Sequence, residues 1–173
     1  GAVDRVADLG RDRAALVDAR QQVAQPTALR APGLRAAALA PELRRQPAQY
    51  LVIAHPDFVA ALDPLVAARR AEGYTVQVAD VEAVYGEFGH GRFGPDAIRD
   101  YIAFAAANLG TEMVLLVGGD TYDYLGHGGS GSISFVPTLY TETGPVVRQA
   151  PADALFGDLD RDGVPELPVG RFP

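Results

Sequence analysis

The chain has 173 residues, 48% of them hydrophobic and 21% charged, which is the balance of a globular protein and not of a disordered one. Its net charge of −7 and its scattered arginines argue against a nucleic-acid partner, and the absence of cysteine excludes disulfides, thiolate metal sites and a cysteine nucleophile within these residues. No apolar run reaches the roughly 18 residues of a membrane span, and the first residues lack the pattern of a signal segment, so we expect a soluble chain without a membrane partner.

Residues 1–49 differ from the rest in composition. They are rich in alanine, arginine, glutamine and leucine, and prolines at positions 26, 32, 41 and 47 interrupt them. A weak apolar periodicity predicts one short helix, Asp4–Ala24, and the prolines prevent a longer one. We therefore expect a partly helical or irregular lead-in arm over residues 1–49, followed by an α/β domain over residues 50–173.

The α/β domain begins with a predicted strand, helix and strand. Tyr50–Ala54 is an apolar run typical of a buried strand, and Tyr74–Ala79 alternates enough to lie nearer a sheet edge. Between them we predict a helix over Phe58–Glu72. Asp63, which precedes a proline, is its expected internal N-cap, and Gly73 is its expected end.

The central element is the apolar strand Met113–Val117. A strand with no in/out alternation is buried on both faces, which is typical of a parallel sheet covered by helices. Before it we predict a loop with at most a helical turn over Asp80–Gly94 and a helix over Pro95–Asn108. After it come a flexible glycine- and serine-rich stretch at 124–134, an edge strand over 135–140 that contains a proline, and a last strand over 166–170. The fold class predicted is α/β with a mainly parallel central sheet.

Ligands of such folds bind at the carboxyl ends of the strands. Gly118 and Gly119 let the backbone turn directly after the central strand, and Asp120, Tyr122 and Asp123 follow. A dinucleotide fingerprint after the first strand and a serine-nucleophile elbow are both missing. Because Asp120 follows the central strand at its carboxyl end, a domain that binds a small ligand at Asp120 is one hypothesis, although neither of these two motifs supports it.

An acidic loop near the end of the chain has the spacing of a calcium site. Alternating oxygen ligands and a glycine at the sixth place match the first nine places of a calcium-binding loop. Val169 stands where a helix-loop-helix site has its bidentate glutamate, so a shorter loop between strands is expected. The alternative is an acidic solvated turn with Asp162 and Gly163 at its apex. The expected metal ligands are Asp158, Asp160, Asp162, the carbonyl of Val164, and Glu166.

The three histidines show no metal-ligand spacing. We expect His55, just after the first strand, to cap or hydrogen-bond locally. His127, in a glycine-rich segment, has no thiol in the chain with which to form a catalytic pair, and no catalytic residue is predicted.

Seven blocks, in order and with their spacing, resemble the amino-terminal half of the gingipain-like cysteine peptidases, peptidase family C25. The resemblance covers about residues 49–173, and the family usually has one glycine where this chain has Gly118 and Gly119. The blocks are YLVIAHPDF from Tyr50, AARRAEGYTVQVADVEAVYGEF, PDAIRDYI from Pro95, VLLVGGDTYD, FVPT, ADALFGDLDRDG from Ala152, and ELPVGRFP.

The resemblance implies a three-layer, caspase-like α/β sandwich, secreted or at the cell surface of bacteria, with calcium as a cofactor and a peptide or protein as substrate. It also implies that the catalytic His and Cys lie in a second, carboxyl-terminal subdomain that would be this chain's partner, so that the chain alone is inactive. Asp153 stands where the arginine-specific members have an acid in the specificity pocket, and its alternative role is a helix or turn cap. The alternative function is a calcium-stabilised interaction module without peptidase activity.

Overall fold

A computed structural model describes residues 41–123, 127–129 and 131–173. The predicted helix Asp4–Ala24 lies outside these residues, as do positions 124–126 and 130 of the predicted flexible stretch. In the described part of the arm, Pro41–Arg44 forms a 3₁₀ helix, and Leu43 and Ala48 are buried in the core. The amide of Ala48 donates to the carbonyl of Leu109 over 3.0 Å, so this part of the arm packs on the α/β domain.

The described residues contain the strands β1 (Tyr50–Ala54), β2 (Val76–Asp80), β3 (Met113–Val117), β4 (Tyr140–Glu142), β5 (Gln149–Pro151) and β6 (Val169–Phe172). Four of them form a parallel sheet in the order β2-β1-β3-β6, and β4 and β5 form a separate antiparallel pair. β3 lies between β1 and β6, which confirms the predicted central strand, and β2 lies at an edge as predicted.

The described residues contain the helices α1 (Pro56–Val59), α2 (Asp63–Ala71), α3 (Val81–Phe88) and α4 (Pro95–Asn108), and 3₁₀ helices also span Ala60–Leu62 and Asp153–Phe156. Alternate side chains of the central strands point to opposite faces of the sheet. Ile53 and Leu116 pack in a core on one face, with buried residues of α3 and α4. Val52 and Val117 pack on the other face, with Val66 of α2. Helices therefore cover both faces, and the predicted α/β class is confirmed as three layers.

The helical region after β1 begins earlier than predicted and is capped differently. His55 is the N-cap of α1 and its Nδ1 accepts the amide of Asp57 over 3.3 Å, which confirms its predicted local role. The prediction of Asp63 as an internal N-cap is wrong. Leu62 occupies that position, and Asp63 already has helical angles (φ −50°, ψ −45°), because the chain enters α2 from a 3₁₀ turn instead of an extended segment. Gly73 follows the helix at φ +99°, as its predicted stop role requires.

The segment after β2 is a helix, where the sequence predicted a loop. Asp80 caps α3 by accepting the amide of Glu82 over 2.8 Å, and Val81, Val84 and Tyr85 of the helix are buried. The many glycines of this segment lower helix propensity, but burial of one apolar face outweighs propensity in a helix of this length.

Near the end of the chain, the predicted edge strand over 135–140 is wrong, and the predicted last strand over 166–170 is found with shifted bounds. Residues 135–139 are irregular, because the amides of Phe135 and Val136 donate to the carbonyl of Gly119 and are not free to pair with a strand. Strand structure starts only at Tyr140, in β4. The last strand starts at Val169 and not at Glu166, since the amides of residues 166 and 167 both donate to the carbonyl of Gly157.

Candidate functional site

The turn after β3 begins with Gly118, which has φ +134°. A Cβ on this residue would lie 2.8 Å from the Cβ of Phe135, whereas one on Gly119 would meet no atom of the described residues nearer than 3.8 Å. The amide of Gly118 donates to the carbonyl of Phe172 over 2.8 Å, which joins the end of β3 to the end of β6. Of the two glycines, Gly118 is therefore the one that the turn requires. We call residues 118–120, residues 134–140, Asp153 and Arg171 the carboxyl rim.

Asp120 is an acceptor for three groups of the carboxyl rim. Its carboxylate accepts the hydroxyl of Ser134 over 2.6 Å, the amide of Thr138 over 3.0 Å and the hydroxyl of Tyr140 over 2.9 Å. Burial and the hydrogen bond to Asp120 raise the pKa of Tyr140, so this hydroxyl stays a donor. These bonds fold residues 134–140 over the end of β3. A small ligand at Asp120 would have to displace them.

Asp153 is paired with an arginine of the same chain. Its two carboxylate oxygens accept the Nε and Nη2 groups of Arg171, each over 2.7 Å, and one of them also accepts the hydroxyl of Thr138. Burial by itself would raise the pKa of Asp153, but the hydrogen bonds from Arg171 and Thr138 and the charge of Arg171 hold that pKa below its ordinary value. The carboxylate is therefore ionised at neutral pH.

The alternative role of Asp153 as a cap is wrong. Ala152 is the N-cap of the 3₁₀ helix Asp153–Phe156, and no side chain among the described residues caps the start of that helix. A role of Asp153 in substrate binding stays a prediction, and a basic substrate side chain would have to compete with Arg171 for the same oxygens.

An aromatic group and an apolar cleft lie beside the carboxyl rim. The ring centroids of His55 and Phe58 are each 5.0 Å from that of Phe135, both in edge-to-face arrangements. Phe58 also borders a cleft of about 270 Å³. The chain therefore presents apolar surface at the carboxyl ends of its strands. The cleft is lined by Phe58, Ala61, Leu62, Leu65, Val117, Gly118, Phe172 and Pro173.

The acidic loop (residues 158–166) brings together the four predicted carboxylate ligands. One oxygen each of Asp158, Asp160, Asp162 and Glu166 lies within 4.8 Å of the others, with Asp158 buried and the other three exposed. Hard oxygen donors of this number suit calcium, which takes 6–8 ligands and would complete its shell with water and carbonyls. Participation of the Val164 carbonyl stays a prediction.

Backbone amides already hold the acidic loop in shape. Asp158 accepts the amides of Asp162 and Gly163 over 3.1 and 3.0 Å, and Glu166 accepts that of Leu159 over 2.7 Å. Gly163 has φ +94°, as expected of the glycine at the sixth place. The same bonds would stabilise a plain acidic turn, so the geometry agrees with both interpretations of the sequence.

Sequence reasoning missed Arg171 and the acceptor role of Asp120. Arg171 was noted only as part of a block of the resemblance, and nothing local marks it as buried, because its partners lie 18 to 53 residues away along the chain. His90 and His127 are exposed and belong to no metal-ligand group among the described residues. No helix in the described part of the chain is long and apolar enough to cross a membrane.

Comparison with known proteins agrees with the fold and the motifs. The structure is similar to that of dimeric latent PorU from Porphyromonas gingivalis, with a TM-score of 0.57, 22% sequence identity and 72% of this chain covered. The matched part is only 14% of the PorU chain. No curated protein sequence matches the chain. The family profile of peptidase family C25 matches residues 43–173, well over half of the sequence, and the chain therefore belongs to peptidase family C25.

Proposed function

We propose that this chain is the non-catalytic amino-terminal half of a gingipain-like cysteine endopeptidase, and that the catalytic His and Cys belong to polypeptide outside these 173 residues. The observation that carries the proposal is the lack of any cysteine in a chain whose residues 43–173 match a family of cysteine peptidases. A thiolate nucleophile and the imidazole that accepts its proton cannot both come from such a chain. The partner is then the carboxyl-terminal catalytic subdomain of the same protein.

In this proposal the carboxyl rim forms part of the wall of the substrate cleft. Its hydrogen bonds fix the turn after β3 and residues 134–140. The aromatic rings around Phe135 and the apolar cleft offer apolar surface to a peptide. A wall held in one conformation favours catalysis by positioning the substrate against the nucleophile of the other subdomain. The substrate is a peptide or protein, and the expected location is outside the cell or at its surface.

We also propose that the acidic loop binds calcium. Asp158, Asp160, Asp162 and Glu166 would hold the ion, and it would supply positive charge that relieves repulsion among four clustered carboxylates and stiffens the loop ahead of β6. The ion has no part in the proposed chemistry. Measuring the melting temperature with and without calcium tests this proposal.

Peptide hydrolysis by a longer protein, extended beyond Pro173, tests the proposed function. We expect the gene region after Pro173 to encode one buried strand that ends in His-Gly and another that ends in Cys. The protein extended through these strands is expected to cleave peptides and to lose this activity on alkylation or on replacement of that cysteine by alanine. Hydrolysis by the pure 173-residue chain, insensitive to thiol alkylation, would contradict the proposal. An extension without the cysteine would favour the calcium-stabilised interaction module.

A further inference from the structure

Arg171 uses every hydrogen-bond donor of its guanidinium within the carboxyl rim. An arginine side chain has five N–H groups. Two of them bind Asp153 and the other three bind backbone carbonyls of residues 118, 136 and 137, over 2.6, 2.7 and 3.4 Å. The side chain is 13% exposed. Arg171, a residue of β6, thus connects the turn after β3, the irregular segment 135–139 and the 3₁₀ helix Asp153–Phe156.

Asp153 has the environment of a counter-ion to this arginine. Its side chain is 24% exposed, and both of its oxygens are bound by the fork of the Arg171 guanidinium. A substrate arginine would present the same fork to the same two oxygens. That place is already taken by a guanidinium of the chain, and expelling it would leave a buried cation and three carbonyls without their partners.

We infer that Arg171 is a positioning residue for the carboxyl rim, that Asp153 is its counter-ion, and that a basic substrate side chain is not bound at Asp153. The inference depends on the proposed function only in treating the carboxyl rim as part of the substrate cleft. If this peptidase selects basic side chains, the acid that does so is a different one.

A double-mutant cycle on the 173-residue chain tests the pairing. Asp153→Asn and Arg171→Met each leave a mostly buried charge without its partner, and we expect each to lower the folding equilibrium constant by roughly tenfold to a hundredfold. The double variant removes both charges. Its loss is expected to be at least about fivefold smaller than the product of the single losses, whereas losses that simply multiply would overturn the pairing.

Chemical rescue separates positioning from general stability. Arg171→Ala removes the guanidinium and leaves a cavity of guanidinium shape, lined by Asp153 and by the carbonyls of residues 118, 136 and 137. Methylguanidinium is expected to raise the melting temperature of Arg171→Ala saturably, and to have no such effect on wild type or on the variant that also carries Asp153→Asn. A saturable rise in wild type would show that Asp153 accepts an external guanidinium, and would overturn the inference.

Arg171→Lys provides a readout if the alanine variant does not fold. Lysine keeps the charge but has three donors on one atom, too few for five acceptors around a planar group. We expect the amide NMR signals of Gly118, Gly119 and Val136 to shift in Arg171→Lys, while those of β2 stay in place. Unchanged signals at all three residues would overturn the positioning role. These experiments need no peptidase activity. A longer protein without peptidase activity would therefore refute the proposed function but would not affect the inference about Arg171 and Asp153.

Discussion

Replacing Gly118 by alanine is the sharpest test of the turn after β3, because the neighbouring Gly119 is a matched control. At φ +134° an alanine would be strained by about 1–3 kcal/mol. Its Cβ would also lie 2.8 Å from the Cβ of Phe135 and 3.1 Å from Cγ2 of Val136, and overpacking of this kind costs about 1–3 kcal/mol. Partial relaxation would reduce the sum, so we expect a loss of about 2–4 kcal/mol in the free energy of unfolding.

The control substitution Gly119→Ala adds the same methyl group one residue later. Its Cβ would be 3.8 Å from the nearest atom in the part of the chain that the structure describes, which is ordinary contact, and its φ lies outside the left-handed region. We expect a change within about 1 kcal/mol, with a gain favoured because alanine restricts the unfolded chain. Urea unfolding of both variants, followed by far-UV circular dichroism, measures the difference. Equal losses in the two variants would refute the argument that Gly118 alone of the pair is required by sterics.

Four further predictions concern the core and the charged groups. Leu116→Ala, at a fully buried position of β3, is expected to lose about 2–5 kcal/mol in urea unfolding, while Val146→Ala, at a position that is 94% exposed, stays within about 0.5 kcal/mol. Tyr101→Phe is expected to be neutral or stabilising in the same assay, because the buried hydroxyl has no hydrogen-bond partner among the described residues; a loss above about 1 kcal/mol would show that a partner exists. Since folding lowers the pKa of Asp153, its carboxylate stabilises the fold at pH values above the ordinary aspartate pKa, and this contribution disappears as the pH falls through the lowered pKa. The free energy of unfolding of Asp153→Asn should therefore depend less on pH below about 4 than that of wild type. An unchanged pH dependence would contradict this. Millimolar calcium is expected to raise the melting temperature of wild type but not that of Asp160→Asn. Asp57 is an exposed acid outside the acidic loop, so the control variant Asp57→Asn should show the same rise as wild type. No rise in wild type would favour the plain acidic turn.

The parts of the fold that the sequence predicted well are those with strong local signals. Continuous apolar runs predicted β1 and β3 at their observed positions, and Pro95 predicted the start of α4. The helix α3 carries two opposed local signals: Val81, Val84 and Tyr85 have helical spacing, but the glycines in and after the helix lower helix propensity. The loop prediction followed the glycines, whereas burial of the apolar face decides the structure.

The candidate site divides in the same way. The carboxylates of the acidic loop are close in sequence, and their spacing alone predicted that they would converge. The contact of Asp153 with Arg171 spans 18 residues, and that of Arg171 with Gly118 spans 53. Such contacts depend on strand order, which no local pattern contains. The sequence therefore predicts a substrate-binding role for Asp153, which stays a prediction, but it does not predict the contact with Arg171.

The carbonyl of Gly157 accepts two amides from the far side of the acidic loop, over 2.9 and 3.2 Å. A Cβ at Gly157 would lie 2.1 Å from the carbonyl oxygen of Leu167, so the backbone is closed at the base of the loop with no room for a side chain. A loop closed in this way is preorganised: its shape does not have to be created by an ion, and little ordering entropy is left to oppose binding. Calcium should then raise thermal stability while the far-UV circular dichroism spectrum at room temperature stays the same, unlike metal sites that fold only when filled.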